Sequence, residues 1–345
     1  MIYQKVTDLM GNTPVLALPV AAPEVRLLLK IEKNNPGGSM KDRMARNMVL
    51  TAIEDGRLQP GGTIVESSSG NTGIGLAITA AELGFRFIAI VDHHAAPDKL
   101  AVMRALGAEL QFVEGDYAED EVAVVERQNT AARLAREIPG AIFMNQSDNP
   151  ANPAGYEGLV DELFDQTGGE IDYLVGCTGT GGSLSGMARA MKARKPQITS
   201  YGVEPKGSII FGQPGYPYYQ SGTGTPKGDE IGKVVDYDVI DEGMQVGDTE
   251  AFETARFLAR ETGLLVGGST GGAVYKALEL IHERNLRGTV VCCVADGGEK
   301  YLHTVFSEEW LQERDLTDPA VWHRLRQWVP LDHPYARTEP MEKIA

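Results

Sequence analysis

The stretch Asn35-Pro36-Gly37-Gly38-Ser39-Met40-Lys41-Asp42-Arg43 delivers one lysine from a Gly-Gly turn into a helix-compatible run, residues 42–55. Glycine permits the positive-φ geometry that brings backbone close to a bound group. A lysine ammonium is strongly hydrated, so carrying one into an interior needs a chemical reason, and Schiff-base formation is one. Most lysines beside such turns are solvated caps, and this stretch alone does not separate the two readings. Three further stretches bear on it: Glu66-Ser67-Ser68-Ser69-Gly70-Asn71-Thr72-Gly73, Gly176-Cys177-Thr178-Gly179-Thr180-Gly181-Gly182-Ser183 and Gly267-Gly268-Ser269-Thr270-Gly271-Gly272. Each reads as a strand-to-helix turn rich in Gly, Ser and Thr. The unpaired N–H groups and the dipole at a helix N-terminus favour anions. In a parallel sheet such turns lie at the carboxyl ends of the strands, where ligands bind. One such turn needs no explanation beyond capping; three of them with a lysine turn do.

The anion is not a nucleoside triphosphate by these residues, because no lysine follows in the GxxxxGK[ST] register. A clear GxGxxG with an acidic partner is also missing, which disfavours a dinucleotide. A phosphate-bearing cofactor that also needs a lysine is pyridoxal phosphate.

The elements that must position these groups alternate. Strands are expected at 63–66, 85–91, 109–113, 141–145, 173–176, 198–203 and 289–294. Helices are expected at 73–83, 97–106, 119–138, 154–166, 183–194, 249–262 and 271–284. Gly84 and Gly107 close two of the helices. The strands lack polar alternation, as expected where both faces are covered, and alternation of this kind means a mostly parallel sheet with right-handed crossovers. Residues 206–236 are rich in Gly, Pro and Tyr, too long for a plain connection, and so point to function or specificity. The tail after Asp315 is expected to pack over the body or over a partner subunit.

At 345 residues the chain can fill two lobes. Its net charge of −16 argues against nucleic acid and anionic membrane surfaces as partners. Any bound phosphate must therefore be held by a local device. The three cysteines, Cys177, Cys292 and Cys293, have no CxxC or zinc spacing and read as buried thiols of a reducing cytosol, the adjacent pair pointing to opposite faces of a strand. No signal-peptide pattern and no membrane-length apolar run occurs, so the expectation is a cytoplasmic protein with no membrane partner. His93-His94 reads as a solvated pair rather than a metal site, because adjacent residues rarely converge on one ion. Asp296 and Glu299 read as caps of the turn before Tyr301. Tyr156 is left open between the pocket and the core.

Taken together, these stretches resemble the cysteine synthase and cystathionine β-synthase family of pyridoxal-phosphate enzymes, of fold type II. The resemblance is carried by Gly11-Asn12-Thr13-Pro14, the 35–43 stretch, Ser69 to Gly73, Asn149-Pro150-Ala151-Asn152-Pro153, Gly179 to Ser183, Gly267 to Gly271, and Asp296-Gly297-Gly298-Glu299-Lys300-Tyr301-Leu302. They run in family order from about residue 8 to residue 311. The fold implied is α/β and tryptophan synthase β-like, with two open, twisted, mostly parallel sheets flanked by helices. The domains implied are a smaller mobile one at 40–145, a larger cofactor-holding one from 1–39 plus 146–315, and a tail at 316–345. The resemblance makes Lys41 the Schiff-base lysine and Asn71 the partner of the cofactor's phenolic oxygen. It gives Gly179, Thr180, Gly181, Gly182 and Ser183 the phosphate, and places Ser269 at the pyridine nitrogen. Ser68, Ser69, Thr72 and Gln146 would bind the amino-acid carboxylate. A homodimer acting on small amino-acid substrates is also implied.

A serine at the ring nitrogen does not hold it protonated as a carboxylate would, so the ring is a weaker electron sink. That suits loss of a β-substituent more than transamination, with Lys41 as general base at Cα. The expected activity is β-replacement on an O-activated L-serine (O-acetylserine or O-phosphoserine) through an aminoacrylate, as in cysteine synthases. Three alternatives stand beside it. Gly267-Gly268-Ser269 and the 248–256 run lean toward cystathionine β-synthase, which joins serine to homocysteine. Residues 206–212 and 306–311 lean toward an amino-acid nucleophile giving a 2,3-diaminopropionate precursor. A serine/threonine ammonia-lyase shares the fold, but Ser69 to Gly73 and Asn149 to Pro153 favour a synthase; a regulatory module keeping the site as a scaffold is disfavoured by the intact Lys41. The chain departs from the family where Gly222-Thr223-Gly224-Thr225-Pro226 replaces the usual Gly-Ile-Gly element, and at Ser68, commonly threonine, where the hydroxyl is kept. Neither a haem-binding extension nor regulatory repeats are expected.

Overall fold

The structure is a computed structural model that describes residues 2–93, 95–113 and 123–332. Its larger sheet has six strands in the order β1-β2-β10-β7-β8-β9: β1 (Val15–Leu18), β2 (Val25–Lys30), β10 (Gly288–Cys293), β7 (Tyr173–Cys177), β8 (Thr199–Pro205) and β9 (Glu242–Val246). Only β1 is antiparallel to its neighbour. The smaller sheet is wholly parallel, in the order β5 (Glu109–Phe112), β4 (Arg86–Val91), β3 (Thr63–Ser67) and β6 (Ala141–Phe143). The expected α/β class with two mostly parallel sheets is therefore what the chain forms. The central strands β4 and β10 are buried on both faces because helices cover both, whereas the edge strands β1 and β5 are largely exposed. Adjacent thiols on β10 show it: Cys292 packs in one apolar cluster and Cys293 in another, on opposite faces as expected.

The helices are α1 (Lys41–Glu54), α2 (Asn71–Leu83), α3 (Pro97–Ala105), α4 (Val124–Glu137), α5 (Ala151–Ala154), α6 (Glu157–Thr167), α7 (Gly182–Arg194), α8 (Asp248–Thr262), α9 (Gly268–Glu283), α10 (Glu308–Gln312) and α11 (Pro319–Trp328). The N-terminal part of the helix expected at 119–138 falls outside the described residues up to residue 122. Two sequence expectations are corrected. The helix expected at 154–166 is α6, which begins at Glu157, and a separate short helix, α5, precedes it. Pro150 and Pro153 sit where a first turn tolerates a missing N–H. Gly155 then packs so tightly that a Cβ there would lie 2.8 Å from Met44 Cα on α1. The turn at 267–272 does not follow a sheet strand: it follows α8, and Val266 only makes an isolated bridge to Gly297. Strand β9 and the antiparallel β1 were not anticipated. Between β8 and β9 the chain forms no helix or strand, as expected for 206–236.

A buried charge network fixes α1, and with it Lys41. Arg43 donates from Nε to Glu32 at 2.7 Å and from Nη1 to Glu162 at 2.8 Å, and Lys30 Nζ donates to Glu162 at 2.7 Å. Glu162 in turn accepts the Asn12 N–H at 2.8 Å, so the Gly11-Asn12-Thr13-Pro14 turn is tied to the same charges. The described part of the tail packs on α8: Trp322 Nε1 donates to Glu253 at 2.6 Å, and the Trp322 ring lies 5.5 Å from Phe257 edge-on.

Candidate active site

The turns that follow β3 and β7 and the start of α9 converge on one cavity of about 1330 Å³. Lys41, Ser68, Ser69, Asn71, Thr72, Gln146, Gly179, Thr180, Ser183 and Ser269 all line it. Gly181 and Gly182 complete the turn beneath. The two turns at strand ends are where a parallel sheet gathers ligands; the third group arrives on a helix–helix connection instead.

Lys41 opens α1, and its turn is held on both sides. The Met40 N–H donates to the Ala295 carbonyl at 2.8 Å, Ser39 bridges to Asp296, and Asp42 accepts the Gly37 N–H at 2.5 Å. Burial pushes the Asp42 carboxyl up to about 7, while the Gly37 N–H and the nearby Lys300 pull it down. The Lys41 side chain faces the cavity and makes no hydrogen bond among the described residues. Burial lowers its pKa, which favours the free amine a Schiff base needs, while the Asp296 carboxylate opposes that shift.

The β7 turn is shaped for an anion. Gly181 stands at φ 95°, and no side chain caps the N-terminus of α7. A Cβ on Gly182 would lie 2.1 Å from Asn152 Oδ1, and one on Gly179 would lie 3.1 Å from the Gly222 carbonyl. Backbone N–H groups are thus the nearest groups a ligand meets there. Asn152, from the Asn-Pro-Ala-Asn-Pro stretch, braces the cradle by donating to the Gln146 carbonyl at 2.7 Å and to Thr180 Oγ1 at 3.4 Å.

On the β3 turn, Ser68 Oγ accepts the N–H of Gly70 at 3.3 Å and of Gly73 at 3.0 Å, closing the start of α2. Ser68 is therefore engaged in the backbone as much as exposed to a substrate. Thr72 Oγ1 donates to Gln146 Oε1 at 2.8 Å, which joins two of the expected carboxylate ligands. Arg127 on α4 donates to Ser69 Oγ at 3.2 Å and lies 3.3 Å from Asp92. Beneath them Glu66 is buried, and burial pushes its carboxyl up to about 8 against the N–H groups of Gln146 and Ser67. At neutral pH it keeps its proton and adds no negative charge under the turn.

Ser269 lies in the first turn of α9. Its carbonyl accepts from Cys177 Sγ at 2.9 Å, and its hydroxyl makes no hydrogen bond among the described residues. Asn71 donates from Nδ2 to Asp296 Oδ2 at 2.8 Å and accepts from Lys300 Nζ at 2.7 Å.

Polar residues of the site not anticipated as such include Asp92, Lys99, Glu126, Arg127, Asp296 and Tyr301. Asp296 is not merely a turn cap. It faces the cavity, accepts the Tyr301 hydroxyl at 2.6 Å, and leaves Oδ1 buried without a hydrogen-bond partner among the described residues. Lys99 sits 4.4 Å over the Tyr301 ring with its ammonium 3.4 Å from the hydroxyl. The Asp-Gly-Gly-Glu-Lys-Tyr stretch was the available signal. Tyr156, left open, is a core residue with no exposed surface and does not line the cavity. Residues 215–224 and 226–229 form one wall, anchored where the Gly224 N–H donates to the Thr178 carbonyl at 2.7 Å. His94 lies outside the described residues, and no group of three His, Cys, Asp or Glu among those described could hold a metal. No helix among them is long and apolar enough to cross a membrane.

The residues fit pyridoxal phosphate: an unengaged lysine for its aldehyde, a side-chain-free cradle for its phosphate, a free hydroxyl, and an asparagine amide on the cavity wall. The comparisons agree. Residues 6–297 match the family described as pyridoxal-phosphate dependent enzyme. A protein of Sinorhizobium fredii named "Putative cysteine synthase" is 65% identical over 95% of this chain and 98% of its own length. A cystathionine β-synthase of Apis mellifera is 35% identical over 95% of this chain, which spans 66% of that relative. Among solved structures, an O-acetylserine-dependent cystathionine β-synthase from Helicobacter pylori superposes with a TM-score of 0.78 at 32% identity, covering 88% of this chain and 98% of that one. The chain belongs to the pyridoxal-phosphate-dependent enzymes, in the branch that holds the cysteine synthases and cystathionine β-synthases.

Proposed function

We propose that the chain catalyses β-replacement on an O-activated L-serine, O-acetylserine or O-phosphoserine, in the manner of a cysteine synthase. The observation that carries the proposal is the convergence on one cavity of Lys41, the bare β7 turn and the β3 turn. Pyridoxal phosphate, when bound, supplies the electron sink for carbanion chemistry at the substrate Cα. The phosphate is assigned to Gly179, Thr180, Gly181, Gly182 and Ser183, the phenolic oxygen to Asn71, and the ring nitrogen to Ser269. Lys41 takes the Cα proton and returns it after the nucleophile has added at Cβ. Ser68, Ser69, Thr72 and Gln146 orient the α-carboxylate, joined by the N–H groups that open α2.

Residues 40–145, which carry the smaller sheet, are assigned as the mobile domain, closing when a carboxylate occupies the β3 turn. Crystals with substrate bound and residues 66–73 unmoved would refute that closure. A homodimer in the cytoplasm completes the proposal. It is supported by exposed apolar side chains at Ile2, Val6 and Leu9 and by three unpaired cysteines among the described residues; sedimentation as a monomer would refute the dimer.

A second reading of the nucleophile has its own support. Lys99 and Arg127 are buried cations in the same cavity wall, and Lys99 has no carboxylate at ion-pair distance among the described residues. Sulfide has no distal carboxylate to use them, whereas an amino acid such as homocysteine or glutamate does. A donor panel of O-acetylserine, O-phosphoserine and serine, each followed by sulfide, homocysteine and glutamate, tests both readings. Product from an activated serine supports the proposal. Turnover of free serine with homocysteine alone would replace it with the cystathionine β-synthase reading. Ammonia and 2-oxoacid released without a nucleophile would make the chain a lyase.

A further inference from the structure

We propose that Lys300 and Asp296 lock the Asn71 side-chain amide in one of its two flip states, so that its nitrogen is the group presented to the cofactor. The proposal rests on the assignment of Asn71 to the cofactor's phenolic oxygen and goes beyond it by naming what enforces that contact.

Lys300 leaves β10 in the short 3-10 turn Gly298–Tyr301. Its Nζ donates to the Gly37 carbonyl at 2.9 Å, the Gly38 carbonyl at 3.1 Å and Asn71 Oδ1 at 2.7 Å. An ammonium has three donors and no acceptor, so these three contacts use it fully. It can face only an oxygen of the amide. On the other side Asp296 Oδ2 accepts from Asn71 Nδ2 at 2.8 Å and from the Tyr301 hydroxyl at 2.6 Å. With the tyrosine hydroxyl as donor, the carboxylate can face only an N–H of the amide. Both neighbours therefore demand the same orientation. A flip would set an NH₂ against an ammonium and a carbonyl against a carboxylate.

The consequence lies in the second hydrogen of Nδ2. One hydrogen is used by Asp296, and the Tyr301 hydroxyl oxygen is the protein acceptor within reach of the other. Asn71 opens α2 on the cavity wall beside Tyr301, whose oxygen also faces the Lys99 ammonium, so an oxygen of a bound group can take that hydrogen in place of the hydroxyl. The phenolic oxygen of pyridoxal phosphate is such an acceptor, whereas a flipped amide would oppose it with its own carbonyl. Lys300 does a second thing through the same contacts. It ties the Gly-Gly turn before Lys41 to the start of α2, so the residue that binds the aldehyde and the residue that meets the adjacent oxygen are held in one frame.

The test uses holoenzymes reconstituted with pyridoxal phosphate: wild type, Asn71→Ala, Lys300→Met, Lys300→Arg and Asp296→Asn. The readouts are the balance of the cofactor's near-ultraviolet and visible bands, which follows the proton near the phenolic oxygen, and the rate of cofactor loss on dilution. Lys300→Met leaves Asp296 alone to orient the amide, so it should move the band balance part of the way toward Asn71→Ala and loosen cofactor retention by up to about tenfold, the scale of one lost hydrogen bond. Lys300→Arg, again a donor only, should restore the wild-type bands. Asp296→Asn keeps the volume and leaves only Lys300 to orient the amide, so it should give a partial shift in the same direction and serves as the readout if Lys300→Met fails to fold. A merely structural lysine would lower the melting temperature and leave the bands in place, which would overturn the proposal. Unchanged bands in Lys300→Met alongside shifted bands in Asn71→Ala would refute the lock and leave the Asn71 assignment standing. Unchanged bands in Asn71→Ala would refute both.

Discussion

Glu66→Gln is expected to remove a large part of the pH dependence of stability. Glu66 has 1% of its surface exposed, and burial pushes its carboxyl up to about 8 in the folded chain. In the unfolded chain the group titrates near the ordinary value of about 4.3. Between those values the folded state holds a proton the unfolded state has lost, so stability falls as pH rises. The contribution is fully present below the unfolded pKa and is lost as pH climbs through the folded one. One proton changes stability by about 1.4 kcal/mol per pH unit, which gives about 4 kcal/mol between roughly pH 5 and pH 8. Asp42, raised to about 7, adds a slope of the same sign in both proteins, so the comparison of variant with wild type isolates Glu66. Glutamine keeps an acceptor for the Gln146 N–H, which now meets Glu66 Oε2 at 3.3 Å, and cannot ionise. Urea unfolding of the cofactor-free proteins across that range is the assay. The variant should gain on the wild type steadily as pH rises. Parallel stability curves would show that Glu66 is already ionised at neutral pH and that the account of a neutral floor beneath the β3 turn is wrong.

Gly182→Ala should weaken pyridoxal phosphate binding more than it lowers stability, because its Cβ would sit 2.1 Å from Asn152 Oδ1, the residue that braces Gln146 and Thr180. The overpacking costs about 1–3 kcal/mol of stability, read by urea unfolding of the cofactor-free variant, and titration with pyridoxal phosphate should show a larger loss of affinity; unchanged affinity would contradict the cradle. Ser269→Asp should damage β-replacement more than cofactor binding, since a carboxylate would hold the ring nitrogen protonated; an unchanged rate with no new long-wavelength absorbance would contradict that placement. Arg43→Met leaves Glu32, which has no exposed surface, without its paired cation and should cost about 3–5 kcal/mol in urea unfolding.

Much of the site was legible because its chemistry is concentrated in short local stretches. Glycines with no room for a Cβ at 181 and 182, and little at 179, announce themselves in sequence, and so does a lysine placed after Gly37-Gly38. The parallel sheets followed from apolar runs without alternation. Other features depend on contacts between residues far apart in the chain. Asp296 and Asn71 lie 225 residues apart, and Lys99 meets Tyr301 across 202 residues, so no local pattern marks either pair. The break between α5 and α6 is a packing event, the approach of Gly155 to α1, and helical periodicity is blind to it. Val266 reads as the end of a strand, yet it makes only one bridge, because strand length is decided by the neighbour and not by the residue.

Attachment of the cofactor is the most direct test of the whole account. The holoenzyme, reconstituted with pyridoxal phosphate and reduced with borohydride, would be digested and mapped by mass. The account predicts a single modified peptide, carrying the reduced cofactor on Lys41, and no labelling in Lys41→Ala. Label on Lys99, the other lysine buried in the same cavity wall, with Lys41 unmodified, would contradict it.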